Sequence, residues 1–177
     1  LGDAIEVTWT DSWDDNLPDG CQGNETDVFY DLDLDGNGDC FESSAEFLVR
    51  GTGLLDGFVR TVSVPTFVEV HTGPRNPGDP VQTFPNEMMK LEGDLFGDPD
   101  FCQLRIRGGA AHGLPSPGQT TLTQLPNGNF NVDSFFDITY QIEFQGCPGS
   151  PLDGLAGVTV ATIRMETGVP GGAPTCE

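Results

Sequence analysis

Residues 58–71 read FVRTVSVPTFVEVH. Apolar and polar residues alternate along this stretch, which is the two-residue period of a half-buried strand. Pro65 has no N–H to give to a ladder, so it either divides the stretch into two strands or places it at a sheet edge. The same period recurs outward in both directions. Residues 4–10 (AIEVTWT) put Ile5, Val7 and Trp9 on one face. Residues 135–145 (FFDITYQIEFQ) bring Phe135, Ile138, Tyr140, Ile142 and Phe144 near one face, with a break of phase at the start. Residues 87–96, 101–107, 120–125, 129–134 and 158–166 also read as strands, and 27–30 as a short strand or a single turn. Gly97-Asp98-Pro99-Asp100 is a turn, and Pro126-Asn127-Gly128 signals a hairpin. About ten strands, with turn signals every 8–12 residues or so, predict an all-β fold, an antiparallel β-sandwich or jelly-roll-like arrangement.

The chain has 177 residues, enough for one full core, and we expect a single β-rich domain over 1–177. A possible sub-boundary lies in the proline-rich stretch 72–86 (TGPRNPGDPVQTFPN), which lacks periodicity and reads as a surface connection. Gly (24) and Pro (14) make turns frequent and helices few, and Phe (12) is the main bulky residue available for a core. The net charge is −21, from 28 acids and 7 bases. That field repels nucleic acid and anionic membrane, and it strains the compact state unless cations are bound. No apolar run approaches the roughly 18 residues of a membrane-spanning helix, so membrane insertion is not expected. The first residue is Leu1 rather than Met, and we expect a processed, secreted form.

Five cysteines are present: Cys21, Cys40, Cys102, Cys147 and Cys176. None forms CxxC, and His71 and His112 stand alone, which disfavours zinc and favours disulfides in an oxidising compartment. Order along the chain favours Cys21–Cys40 and Cys102–Cys147, leaving Cys176 over, although spacing alone does not fix connectivity. Asn24-Glu25-Thr26 is an N-glycosylation sequon, used only if the producing cell glycosylates.

Residues 31–42 read DLDLDGNGDCFE. Asp31, Asp33 and Asp35 alternate, Gly36 falls where a sharp turn is needed, and Glu42 closes the stretch. This D-x-D-x-D-G-x5-E spacing resembles the calcium loop of EF-hand and dockerin-like proteins. The resemblance implies a Ca2+ ion held by the side chains of Asp31, Asp33, Asp35, Asp39 and Glu42 and by the carbonyl of Asn37. Carboxylates at this density repel one another, a pair at about 4 Å by roughly 4 kcal/mol at an effective dielectric of about 20, so a cation is needed to hold them together. Magnesium suits a seven-oxygen cage less well. A true EF-hand continues into a helix. Ser43–Arg50 could make two turns, but Gly51, Gly53 and Gly57 stop it, so we expect a calcium loop between strands, braced by Cys21–Cys40. Two other acidic groups, Asp94, Asp98 and Asp100, and Asp11, Asp14, Asp15 and Asp19, read as turns with solvated acids.

Residues 129–168 resemble segments of uncharacterised secreted β-rich surface proteins of bacteria, which implies an extracytoplasmic setting and no catalytic residues. No G-x-S-x-G or HExxH is present, and a carboxylate pair has no specificity among 28 acids. The expected function is therefore non-enzymatic: a secreted, calcium-stabilised structural subunit of an extracellular filament or surface assembly at the cell surface. Its partner would be further copies of the chain, in a homo-oligomer or homopolymer, with 4–10 and 158–166 as candidates for strand addition. The alternative is a calcium-dependent carbohydrate-binding β-sandwich, with glycans as partners and Trp13 as a stacking surface, Trp9 being in phase with the core.

Overall fold

A computed structural model gives the fold and describes residues 5–9, 38–76 and 78–167. They form strands β1 (Ile5–Trp9), β2 (Gly38–Gly51), β3 (Val59–Thr72), β4 (Val81–Leu95), β5 (Phe101–Gly108), β6 (Pro117–Gln124), β7 (Phe130–Gly146) and β8 (Ala156–Thr167), with short 3-10 turns at Gly53–Leu55 and Ala110–His112. The expectation of an all-β, antiparallel chain holds. The described strands belong to one sheet rather than to the two sheets of a sandwich or jelly roll.

The sheet is a meander, each strand lying beside its predecessor, with one interruption. β5 and β6 lie end to end between β4 and β7. Ile106 pairs with Gly93 and Ile142, and Thr120 pairs with Phe84 and Ser134. The pairings β4–β5–β7–β6–β4 thus close a small ring within the sheet. The long strands also roll the sheet over. Phe47 and Val49 of β2 line one small cavity with Ile142 and Phe144 of β7, although several strands separate them in the ladder order. Rolling lets one face of a single sheet bury itself, and the core runs continuously from Phe47 through Val64, Val68, Leu91, Ile106 and Ile138 to Met165.

Period-two patterning explains which residues face inward. In β2, Ser43, Ala45, Phe47 and Val49 are buried and their neighbours are not, so Ser43–Arg50 is strand and not the two helical turns considered above. In β4 the inward set is Gln82, Phe84, Asn86 and Met88, then Leu91 and Gly93. The change of phase is a β-bulge: Val70 pairs with Met88 and Glu69 with Lys90, leaving Met89 as the extra residue. In β7, Ser134, Phe136, Ile138, Tyr140 and Ile142 face inward without a break. Phe136, not Phe135, is the core residue, and 129–134 and 135–145 belong to one strand. Phe135 lies on the outer face under the Arg164 guanidinium, 4.3 Å from its ring centre.

Two prolines bracket one ladder. β3 pairs with β4 from Thr66↔Gly93 to Thr72↔Asn86. Pro65 and Pro85 each stand one residue beyond a last rung, at opposite ends. The Pro85 carbonyl accepts from the Gly73 N–H at 2.7 Å, beyond the end of that ladder. A missing N–H therefore costs no rung at either site. Pro65 neither divides β3 nor lies on an outermost strand, since β2 pairs along both sides of it. Residues 81–86, expected in a surface connection, are the first part of β4, and β3 and β4 flank the remaining connection as neighbours in one sheet.

Candidate functional site

Of the loop 31–42, Asp31, Asp33, Asp35 and Asn37 lie outside the described residues, as do Cys21, Asn24, Trp13 and Cys176. Asp39, Cys40 and Glu42 are in the backbone of β2, opposite Val70, Glu69 and Phe67 of β3. Strand, not helix, thus follows the acidic stretch, as the glycines after it suggested. Among the described residues no three His, Cys, Asp or Glu side chains stand close enough to hold a metal ion. Cys102 and Cys147 are joined in a disulfide with 4.7 Å between Cα atoms, the pairing that chain order favoured. It ties the start of β5 to the turn after β7, beside the Phe101↔Gly146 rung.

The acids at Asp94, Asp98 and Asp100 are not solvated turn residues; arginines hold all three. Arg60 donates to Asp98 at 2.7 Å and also to Asp100. Partial burial opposes ionisation of Asp98, but the N–H groups of Asp100 and Phe101, with Arg60, outweigh it and lower its pKa. Asp94 accepts from Arg105 Nε at 2.9 Å and from Arg107 Nη2 at 2.7 Å. Partial burial again opposes ionisation, and the two guanidinium groups again prevail, so its carboxyl is held below the usual range. On the outer face of β3 and β4, Glu69 accepts from Lys90 at 2.6 Å, which lowers its pKa, and His71 lies 2.8 Å away. The first of the 7 lysines and arginines is Arg50, so half of the 28 acids precede any base.

These pairs frame a groove. Beyond the Thr66↔Gly93 rung, β3 and β4 part: β3 stays with β2, and Asp94 and Leu95 pair with Arg105 and Leu104 of β5. Side chains bridge the parting at its far end, through Arg60 to Asp98 and Asp100 and through the edge-to-face contact of Phe58 with Phe101, 6.4 Å between ring centres. The space left is about 400 Å3, lined by Ser43, Pro65, Thr66, Phe67, Glu92, Gly93, Asp94, Phe96 and Arg107. Arg107 is fixed by donating to the carbonyls of Gly93 at 2.8 Å and Ile106 at 2.6 Å as well as to Asp94. Glu92 is 2.8 Å from His112. Phe96 at the rim is 84% exposed. Of these residues the sequence singled out only Asp94, as a solvated turn acid, and Pro65, as a strand divider or edge marker. The available signal was a bulky aromatic placed directly before the Gly97 turn, where no strand face can bury it.

The sheet ends are the second feature. Among the described strands β1 pairs only with β2 and β8 only with β7. Val158 and Val160 of β8 are 61% and 54% exposed. Ala156–Ile163 contains no charge and no proline, the devices that usually blunt a sheet edge. No helix among the described residues is long and apolar enough to cross a membrane. No family model matches the chain, and no curated protein or solved structure is significantly similar to it.

Proposed function

We propose that this chain is a secreted, calcium-stabilised structural subunit of an extracellular filament or surface assembly, with no catalytic role. The observation that carries the reading is the position of β1 and β8 at opposite edges of one sheet among the described strands, with β8 long, uncharged from Ala156 to Ile163 and exposing Val158 and Val160 on its outer face. An unpaired edge offers a row of N–H and C=O groups, and another strand satisfies them at little cost in geometry. Pairing β8 of one copy with β1 of the next is a heterologous contact, which propagates as an open chain unless the rotation closes it into a ring. Calcium binds at Asp31–Glu42 in this reading, relieving repulsion where the chain has acids and no bases, and adding folding stability by mass action.

The test uses sedimentation velocity and negative-stain imaging of the purified chain in calcium. Wild type forms a concentration-dependent series of assemblies, and V158K/V160K, which changes only exposed positions, stays monomeric. A wild type that remains monomeric at high concentration refutes the reading. For calcium, D33A/D35A lowers Tm in calcium and leaves it nearly unchanged in EDTA. An equal drop in both conditions removes the metal from the account.

A further inference from the structure

We propose that the groove at the parting of β3 and β4 binds a short stretch of uncharged carbohydrate, without calcium. The proposal does not depend on the assembly reading. Three observations converge on this ligand class. First, charge is balanced within the groove although the chain carries −21. The two acids Asp94 and Glu92 stand with two guanidinium groups, Arg105 and Arg107. An anionic ligand meets no uncompensated cation there and is repelled by the rest of the surface, and a cationic ligand finds acids already engaged. A neutral ligand pays neither cost.

Second, the polar groups are fixed in place. Arg107 is held by two carbonyls and Asp94, and Asp94 by two guanidinium groups. Carboxylate oxygens retain acceptor capacity after these bonds, and guanidinium groups retain donors. With Ser43 and Thr66, which line the same space, they make a set of donors and acceptors. Sugar hydroxyls, each donor and acceptor at once, can meet such a set without rearranging it. Third, the rim is aromatic. Phe96 exposes nearly its whole ring, and Phe67 and Pro65 line the same space. A pyranose presents C–H groups on its flat faces and hydroxyls around its edge, so it can cover an apolar ring while its edge reaches the polar groups. The volume, about 400 Å3, lies within the roughly 300–1,000 Å3 of small-ligand sites. The groove lies where the β3–β4 ladder ends, beyond the Thr66↔Gly93 rung.

The experiment titrates 15N-labelled protein with cellohexaose, xylohexaose, mannohexaose and chitohexaose, each in calcium and in EDTA. At least one of the four gives saturable shifts of the amides of Asp94, Phe96 and Arg107, equally in both conditions. F96A, which alters an exposed side chain and keeps the wild-type Tm, weakens that binding about tenfold. The proposal is overturned if none of the four shifts these amides, if binding vanishes in EDTA, if F96A binds as wild type does, or if a sulfated hexasaccharide binds more tightly than all four.

Discussion

Removing the Cys102–Cys147 disulfide should cost this protein about 4 kcal/mol. The crosslink closes a loop with a sequence separation of 45. In the chain-entropy account, a loop of that size removes about 13–14 cal/mol/K from the unfolded ensemble, which is about 4 kcal/mol at 25 °C. The structure makes this a clean case. Cys102 is exposed and Cys147 half-buried, so C102A/C147A opens no core cavity. The Phe101↔Gly146 rung and the Cys147 N–H bond to the Asp100 carbonyl at 2.9 Å keep the two segments adjacent without the sulfurs. The effect therefore falls mainly on the unfolded state. Urea denaturation should show a lower midpoint and a steeper slope, because the uncrosslinked chain exposes more surface on unfolding. Tm should fall by about 8–16 °C for a chain of this size. A loss under about 1 kcal/mol with an unchanged slope would refute the reasoning, since it would mean that the unfolded chain was already held compact there.

Other perturbations follow from contacts in the same region and from the ion pairs. Gly146→Ala would place a Cβ 1.8 Å from the Leu152 carbonyl oxygen, so the turn after β7 must lift away; we expect a loss of about 3 kcal/mol in urea melts, and a loss under about 0.5 kcal/mol would contradict that packing. Leu152→Ala removes a fully buried side chain and should cost about 2–5 kcal/mol in the same assay. Stability should pass through a maximum as pH falls in EDTA. From pH 7 to about 5 the surplus acids begin to protonate and self-repulsion eases, so Tm rises. Glu69, Asp94, Asp98 and Asp137 have folded pKa values below their unfolded ones. Their stabilisation is present above the ordinary carboxylate range and is lost as pH falls through the folded values, so Tm drops below about pH 4. A Tm that keeps rising down to pH 3 would show that the pairs contribute nothing.

Most strands were legible because one face of the rolled sheet is buried and the other is not, which writes a period of two into the sequence. Where the period was misread, a specific device broke it. Met89 is an extra residue, so the inward set of β4 changes parity there, and the earlier half of the strand looked like a connection. Pro85 strengthened that impression, although it costs nothing where the ladder has already ended. In β2, Ala45, Phe47 and Val49 did alternate, but the inward Ser43 and the outward Leu48 diluted the contrast and left room for a helical turn. The arginine pairs of Asp94, Asp98 and Asp100 were not legible, because they depend on which strands become neighbours. The groove was invisible for the same reason: it is made by two strands ceasing to pair. The end-to-end placement of β5 and β6 also lies in tertiary pairing rather than in any local pattern.

The central claim is that copies of the chain join through the sheet edges, and an inter-copy crosslink tests it most directly. With cysteines introduced at Thr8 of β1, which pairs with Leu48 on the outer face, and at Val160 of β8 in separate 15N- and 13C-labelled chains, mixed and oxidised in calcium, the account predicts heterodimers linking position 8 to position 160, identified by peptide mass spectrometry. Crosslinks joining only 160 to 160, or none at all, would contradict it.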